Sequence, residues 1–260
     1  MLRRVQIEKR VGETPLQAIE RWKAKHPSYK DIPATYAGRL DPMASGKLLI
    51  LLGDECKRKE EYSSLDKTYD IEVLLDVGSD TGDVLGITNP SEICSELTPN
   101  RIKEALAAEL GTHSHPYPAF SSKPVNGKPL FLHALEGTLD TIEIPVHDET
   151  IYRIRYRGSY SLTNDELKTR IASLLALAPS TDEPSKRVGA DFRIDQVRES
   201  WNEILKTERS YHVLRLSVSC SAGTYMRSLA GRIGEALETK ALALSIHRTH
   251  IKVPFRFALR

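Results

Sequence analysis

The chain has 260 residues, 40% of them hydrophobic and 28% charged, with 15 Gly, 14 Pro and a mean hydropathy of -0.36. That balance suits one large or two small globular domains and excludes a collagen-like repeat, a wholly disordered chain and a polytopic membrane protein. Thirty-seven basic against 35 acidic side chains leave +2, well short of the basic excess usual in a nucleic-acid-binding domain. The opening MLRRVQIEKR lacks the apolar stretch of a secretory leader, and Cys56, Cys94 and Cys220 form no CxxC pair. Neither a disulfide framework nor a zinc knuckle is expected, and a reducing cytoplasm is the expected compartment.

In chain order, Thr14 and Pro15 read as an N-cap and first-turn pair, with Leu16, Ile19 and Trp22 at helical spacing up to a break at Pro27. Gly38 and Gly46 bracket a tight loop that delivers into the apolar KLLILLG, a buried strand. Tyr69, Ile71, Val73, Leu75 and Val77 alternate as a half-buried strand that stops in the turn-forming GSDTGD. Thr98 and Pro99 start a helix whose Ile102, Leu106 and Leu110 share a face until Gly111. Tyr152, Ile154 and Tyr156 alternate with Arg153, Arg155 and Arg157, a strand with a basic face. From Thr163 to Arg209 the chain reads as an insertion: one helix around Leu167 and Ile171, a mobile breaker from Ala178 to Arg187, and a second helix around Val197 and Trp201. A strand through His212, Leu214, Leu216 and Val218 follows, then a turn at Gly223 and a helix of about four turns marked by Met226, Leu229, Ala230, Ile233 and Leu237. With no internal repeat and no long linker, one continuous α+β domain is expected.

Charge is unevenly distributed. Lys240 to Arg260 carries five basic residues and no acidic one, whereas Ile71 to Leu110 carries eight acidic residues against Arg101 and Lys103. One face can therefore be basic on a nearly neutral molecule, enough to orient a polyanion, although a solvated charged surface is the plainer reading.

Most chemical signatures are missing. GxGxxG, GxxxxGK[ST], GxSxG and HExxH do not occur, and His113 with His115 lacks a third ligand, so no cofactor and no metal are expected. Asp41 stands out, because the stiff loop holds a carboxylate at the entrance of a buried strand, where it can act as a nucleophile. The bland alternative is a helix N-cap, with Pro42 at the first helical position.

Five segments in order decide between the two. YAGRLDPMASGKLLILLGDECK resembles the catalytic motif of the TruB family of tRNA pseudouridine synthases, and KRVGETPLQAI that family's opening motif. KTYDIEVLLDVGSDTGDVLG is similar to its Lys-any-Tyr strand and following turn, YPAFSSKPVNGKPLFLHALEG to its Pro-any-Ser-Ala-any-Lys loop, and VSCSAGTYMRSLAGRIGEAL to its Cys-Ser-any-Gly-Thr-Tyr-Ile-Arg segment. Together they span nearly everything outside the insertion.

The resemblance implies the pseudouridine synthase fold, with a central mixed or antiparallel sheet, flanking helices and an RNA-binding cleft. It implies that Asp41 attacks the target uridine so that the base detaches, rotates and rejoins the ribose through carbon. Tyr69 matches the tyrosine that stacks on the flipped base, a candidate for moving the C5 proton. Arg227 matches the arginine paired with the aspartate, and Tyr225 and Ile246 match residues lining the uracil pocket. Tyr36, where the family commonly has histidine, and Arg39 and Lys123 are expected to contact RNA. Ser122 replaces an alanine of the pattern. The chain ends soon after IHRTHIKVPF, so an enzyme without the small PUA domain is expected, acting as a monomer on uridine 55 in the T loop of tRNA. A synthase for another RNA such as rRNA, or a non-catalytic RNA-binding or folding factor on the same scaffold, are the alternatives.

Overall fold

The computed structural model describes residues 2–91, 97–178 and 193–253. Along the chain run β1 (Arg4–Lys9), α1 (Pro15–Ala24), β2 (Ala34–Ala37), β3 (Ala44–Leu52), α2 (Lys59–Ser63), β4 (Lys67–Leu75), β5 (Val77–Ser79), β6 (Thr88–Pro90), α3 (Pro99–Ala108) and β7 (Gly111–Pro116). Then come β8 (Pro124–Val125), β9 (Lys128–Pro129), α4 (Leu130–Leu135), β10 (Val146–Leu162), α5 (Asn164–Leu175), α6 (Ile194–Ile204), β11 (Tyr211–Cys220), α7 (Met226–Ala236) and β12 (Ala241–Ile251).

An eight-stranded sheet organises these elements in the order β1-β3-β12-β4-β11-β10-β7, with β2 pairing β3. The β12–β3 pair is parallel and its neighbours are antiparallel, so the α+β class with a mixed sheet holds. Period-two alternation assigns the two faces of the sheet. Tyr69, Ile71, Val73 and Leu75 of β4 join Leu214, Leu216 and Val218 of β11 under α3 and α7, whose Ile102, Leu106, Leu229 and Ile233 complete that core. On the opposite face Leu74, Val213 and Leu242 pack against α5 and α6, so both helices of the expected insertion cover the sheet's back. There Trp201 is buried and its indole N–H donates to Val84 O at 3.1 Å. The expected Ala178–Arg187 breaker lies, from residue 179 on, outside the described residues.

α1 starts where the sequence places it. The Thr14 hydroxyl accepts from Gln17 N while the Gln17 side chain accepts from Thr14 N, a capping box, and Pro15 follows in the first turn. Ala18, Ile19 and Trp22 then pack on Ile7, Leu48 and Ile50. We expect Thr14→Ala to lower unfolding free energy by about 1 kcal/mol, read by urea denaturation.

The structure corrects several sequence expectations. α3 ends at Ala108, so Leu110 is 45% exposed instead of closing the helix face. α7 has 11 residues, about three turns rather than four, with Leu237 as its cap. On β10, Tyr152 and Tyr156 are both exposed. The described part of the basic run after Lys240 is folded into the sheet. It opens as β12, where Arg248 is fully buried, while Lys240 bonds Asn89 and Lys252 pairs with Asp66. Arg256 and Arg260 lie outside the described residues. Among the described residues no helix is long and apolar enough to cross a membrane.

Candidate active site

Asp41 sits in the six-residue connection between β2 and β3, antiparallel neighbours, and no helix follows it. Its carbonyl accepts from Ala44 N at 3.1 Å, closing a turn into β3, so the N-cap reading is excluded. Two buried cations hold this connection from opposite ends. Lys9 of β1 donates its ammonium to the carbonyls of Pro42 at 3.1 Å and Ala44 at 2.5 Å, and to Arg10 O at 2.8 Å. Arg248 of β12 donates to Gly38 O at 2.9 Å, Arg39 O at 3.5 Å and Lys47 O at 2.7 Å. Gly46, with φ +106°, allows the close approach of β3 to β12, since a Cβ there would lie 2.3 Å from Arg248 O.

The carboxylate meets Arg227, the second residue of α7. Arg227 Nε donates to Asp41 Oδ2 at 2.8 Å, Nη2 to Phe120 O at 3.0 Å and Nη1 to Thr81 O. One guanidinium thereby ties together the Asp41 connection, the β5–β6 turn and the segment before β8. Asp83, whose carboxylate accepts from the Thr81 hydroxyl at 2.7 Å and Leu85 N at 3.0 Å, lies 3.8 Å from Arg227 Nε. Burial works against the Arg227 charge, yet Asp41 and Asp83 keep its pKa above the ordinary value. Burial likewise pushes the Asp83 carboxyl up, against the pull of Arg227. Gly82, at φ +75°, lets the turn lie against the Arg227 backbone, where a Cβ would stand 3.2 Å away.

Asp41 and Arg227 open onto a cavity of about 200 Å³ whose wall also includes Arg39, Lys67, Tyr69, Tyr225, Ile246 and Arg248. The side chain of Asp41 is 37% exposed and that of Arg227 only 5%, so the carboxylate reaches solvent from a buried anchor. Tyr69 is buried on β4, its ring 6.0 Å from Arg248 Cζ, and burial first of all raises its hydroxyl pKa. Tyr225 caps the start of α7; burial and then the Asp41 charge raise its pKa too. Both tyrosines are therefore neutral phenols at physiological pH, suited to stacking and hydrogen bonding rather than to serving as resident phenolates.

Six of the eight residues singled out from sequence, Asp41, Tyr69, Arg227, Arg39, Tyr225 and Ile246, thus line one cavity. Tyr36 does not; on β2 it packs beside Trp22 and Tyr29, with Lys59 Nζ 5.1 Å above its ring. Nor does Lys123, whose ammonium lies 4.8 Å from the Tyr117 ring. Tyr117 stacks on His147 at 4.0 Å, and both meet Tyr225 edge-on, so Lys123 belongs to an aromatic cluster behind the Tyr225 wall. Sequence reasoning missed Lys9, Lys67, Asp83 and Arg248. All four are charged and buried, and the only signal for them was their place inside or beside the quoted motifs.

Lys67 carries a pH signature. It donates to Ser63 O at 2.6 Å, and burial, then the Arg248 charge, hold its pKa at about 8 against 10.5. Asp66 and Cys220 oppose the shift weakly. Between pH 8 and 10.5 the unfolded chain binds the proton that the folded chain has released, so this group makes stability rise with pH across that window. We expect Lys67→Met to flatten that rise, measured by denaturation at pH 7.5, 9 and 10.

The chain's likenesses fit this geometry. The family described as TruB family pseudouridylate synthase (N terminal domain) matches residues 28–173. The tRNA pseudouridine synthase B of Ralstonia pickettii is 29% identical over 222 residues, covering 84% of this chain and 53% of that protein. The tRNA pseudouridine synthase 4 of Saccharomyces cerevisiae is 25% identical over 271 residues, covering 95% and 66%. The chain thus spans about half to two thirds of the length of these curated relatives. Among solved structures, a Cbf5-Nop10-Gar1 complex shares the fold at a TM-score of 0.52 with 15% identity, over 95% of this chain and 48% of that one. Because the family match takes in more than half of the 260 residues, Asp41 and Tyr69 among them, the chain belongs to the TruB family of pseudouridylate synthases.

Proposed function

We propose that this chain isomerises uridine to pseudouridine in RNA, and that its target is uridine 55 in the T loop of tRNA. One observation carries the reading: a partly exposed Asp41 carboxylate, held through one oxygen by a buried Arg227, at a cavity walled by Tyr69, Tyr225 and Ile246. The names of the relatives, tRNA pseudouridine synthases, support tRNA as the substrate class.

The residues divide the work as follows. A uridine inside folded RNA shields its glycosidic bond, so it must leave the stack, and the Tyr69 ring offers the extruded base a surface. Arg227 holds the Asp41 carboxylate through Oδ2 and aims it, leaving Oδ1 to attack at the base or the ribose. The N1–C1′ bond breaks, the base turns, a C5–C1′ bond forms, and the bond made by Asp41 is broken again, which returns the free carboxylate. C5 loses a proton and N1 gains one, so atoms and electrons balance without redox chemistry or an energy source. Tyr69, a neutral phenol, is a candidate carrier of that proton, and Tyr225 and Ile246 set the width of the slot. Arg39, on the cavity wall, supplies charge toward the RNA. We place the reaction in the cytoplasm, in keeping with Cys56 and the buried Cys220 as free thiols.

Incubation with an unmodified tRNA transcript, followed by carbodiimide mapping or mass spectrometry, tests the proposal. Pseudouridine at position 55 supports it, product confined to another RNA replaces the target, and no product from any RNA overturns it.

A further inference from the structure

β10 is longer than its partners. Its first part, Val146–Ile151, pairs with β7, and pairing with β11 begins only at Ile151. From Tyr152 to Leu162 it pairs with β11 alone, so one edge is open. Along that stretch Arg153, Arg155 and Arg157 are all exposed, and Arg215 of β11 is exposed beside the bulge that follows Tyr156. Gly158 there approaches Arg215, whose Nη2 would lie 3.4 Å from an added Cβ. Tyr152 and Tyr156 are 55% and 43% exposed.

These four arginines, like Arg39 on the cavity wall and the buried Arg248, have no carboxylate partner among the described residues. Arg21, Arg170, Arg227 and Arg232 each pair with an acidic side chain, whereas among the described residues Arg153, Arg155, Arg157 and Arg215 pair with none. In register, Arg155 faces Ser217 and then Asp70, which places that carboxylate two strands, roughly 10 Å, across the sheet. Glu72, nearer Arg215, is already taken by Arg170, Tyr160 and Ser245. Edge arginines can serve simply to deter strand pairing, but that role calls for no aromatics, and exposed tyrosines work against it. Four uncompensated cations on one face of the sheet at this open edge are instead the footprint of a nucleic-acid backbone.

The strip begins at the cavity. His147 Nε2 donates to Gly223 O at 3.2 Å, and Thr150 O accepts from Ser221 N at 2.8 Å, on the segment that carries the cavity wall at Gly223–Tyr225. The Tyr152 hydroxyl reaches Asp66, the neighbour of the cavity residue Lys67. From Tyr152 to Arg157 the strand then runs roughly 17 Å outward, and alternate residues lie roughly 6.6 Å apart, a step comparable to that between successive phosphates of an RNA strand.

We propose that the open edge of β10, with Arg153, Arg155, Arg157 and Arg215, binds the phosphodiester backbone of the RNA outside the loop that enters the cavity. The inference rests on the RNA-directed reading above and adds to it a second contact surface. Neither the quoted motifs nor the cavity contains these residues.

The test measures binding of a labelled, unmodified full-length tRNA transcript as a function of NaCl concentration, with pseudouridine formation followed in the same samples. The triple variant Arg153→Gln/Arg155→Gln/Arg157→Gln should lower the slope of log K against log salt by about 2–3, about 1 for each phosphate that is no longer neutralised. The single variants Arg155→Gln and Arg157→Gln should each lower it by about 1, which keeps the test decisive where the triple variant folds poorly. A control that removes charge elsewhere, Lys25→Gln/Lys30→Gln/Lys103→Gln, should leave the slope within about 1 of the wild type. An unchanged slope in the β10 variants, or an equal fall in the control, overturns this inference even when the wild type makes pseudouridine. Wild-type binding with the expected slope changes but no pseudouridine leaves the strip standing and overturns the proposed reaction instead.

Discussion

Asp41→Asn should abolish pseudouridine formation, by at least about 10⁴-fold, while leaving the fold and RNA affinity close to wild type. The magnitude follows from the proposed role of Asp41 as a covalent nucleophile rather than a helper: replacing such a group removes most of an active site's advantage at once. An amide of the same shape keeps the 2.8 Å contact to Arg227 Nε through its oxygen, so Arg227 retains a partner and the Asp41 connection stays pinned by Lys9 and Arg248. The side chain is 37% exposed, which limits the structural cost of the change. The measurement is single-turnover conversion of a tRNA transcript at saturating enzyme, beside a urea melt and a binding isotherm on the same preparation. Residual turnover within about tenfold of wild type would take the nucleophile's role away from Asp41 and leave it the role of holding Arg227.

The site was more legible in the sequence than its supports. Loop glycines, an Asp–Pro step and a strand with clean alternation placed Asp41 and Tyr69, because glycine conformation and period two are local properties that read directly from residue order. Arg227 became visible as Asp41's partner only through a motif, since 186 residues separate the two and no local rule pairs them. Lys9 and Arg248 were opaque for a physical reason. A Lys or Arg reads as surface, and both are here fully buried because their donors are consumed by backbone carbonyls of the Asp41 connection. The run after Lys240 misled in the same way: charge sign is in the sequence, but whether a charge faces water depends on which strands flank it. Tyr152 and Tyr156 show the converse. Alternation gave a correct strand, but these two aromatics face solvent.

Arg227→Met should cost about 3–5 kcal/mol of stability at neutral pH, the range for removing one partner of a buried charge pair. It should also remove most activity. The guanidinium donates to Asp41, Thr81 O and Phe120 O at once and lies 3.8 Å from Asp83, so methionine fills the volume but leaves one carboxylate and two carbonyls without their donor and Asp83 without its neighbouring positive charge. Asp41 can turn to water; Asp83, with its side chain 10% exposed, cannot. Its carboxyl, already raised by burial, then loses the main charge holding it down and rises further. A carboxyl whose folded pKa exceeds the unfolded value adds stability below the unfolded pKa and loses it as pH climbs through the folded one, so the variant's deficit is larger at pH 8 than at pH 5. Adding Asp83→Asn to Arg227→Met should recover part of that deficit at pH 8 and little at pH 5. Arg227→Lys should not rescue the site, because an ammonium is a point donor and cannot span the Asp41 connection, the β5–β6 turn and the Phe120 carbonyl together. Urea denaturation of the three variants at both pH values decides the matter, and a deficit that is the same at pH 5 and pH 8 would mean that Asp83 does not depend on Arg227 for its charge.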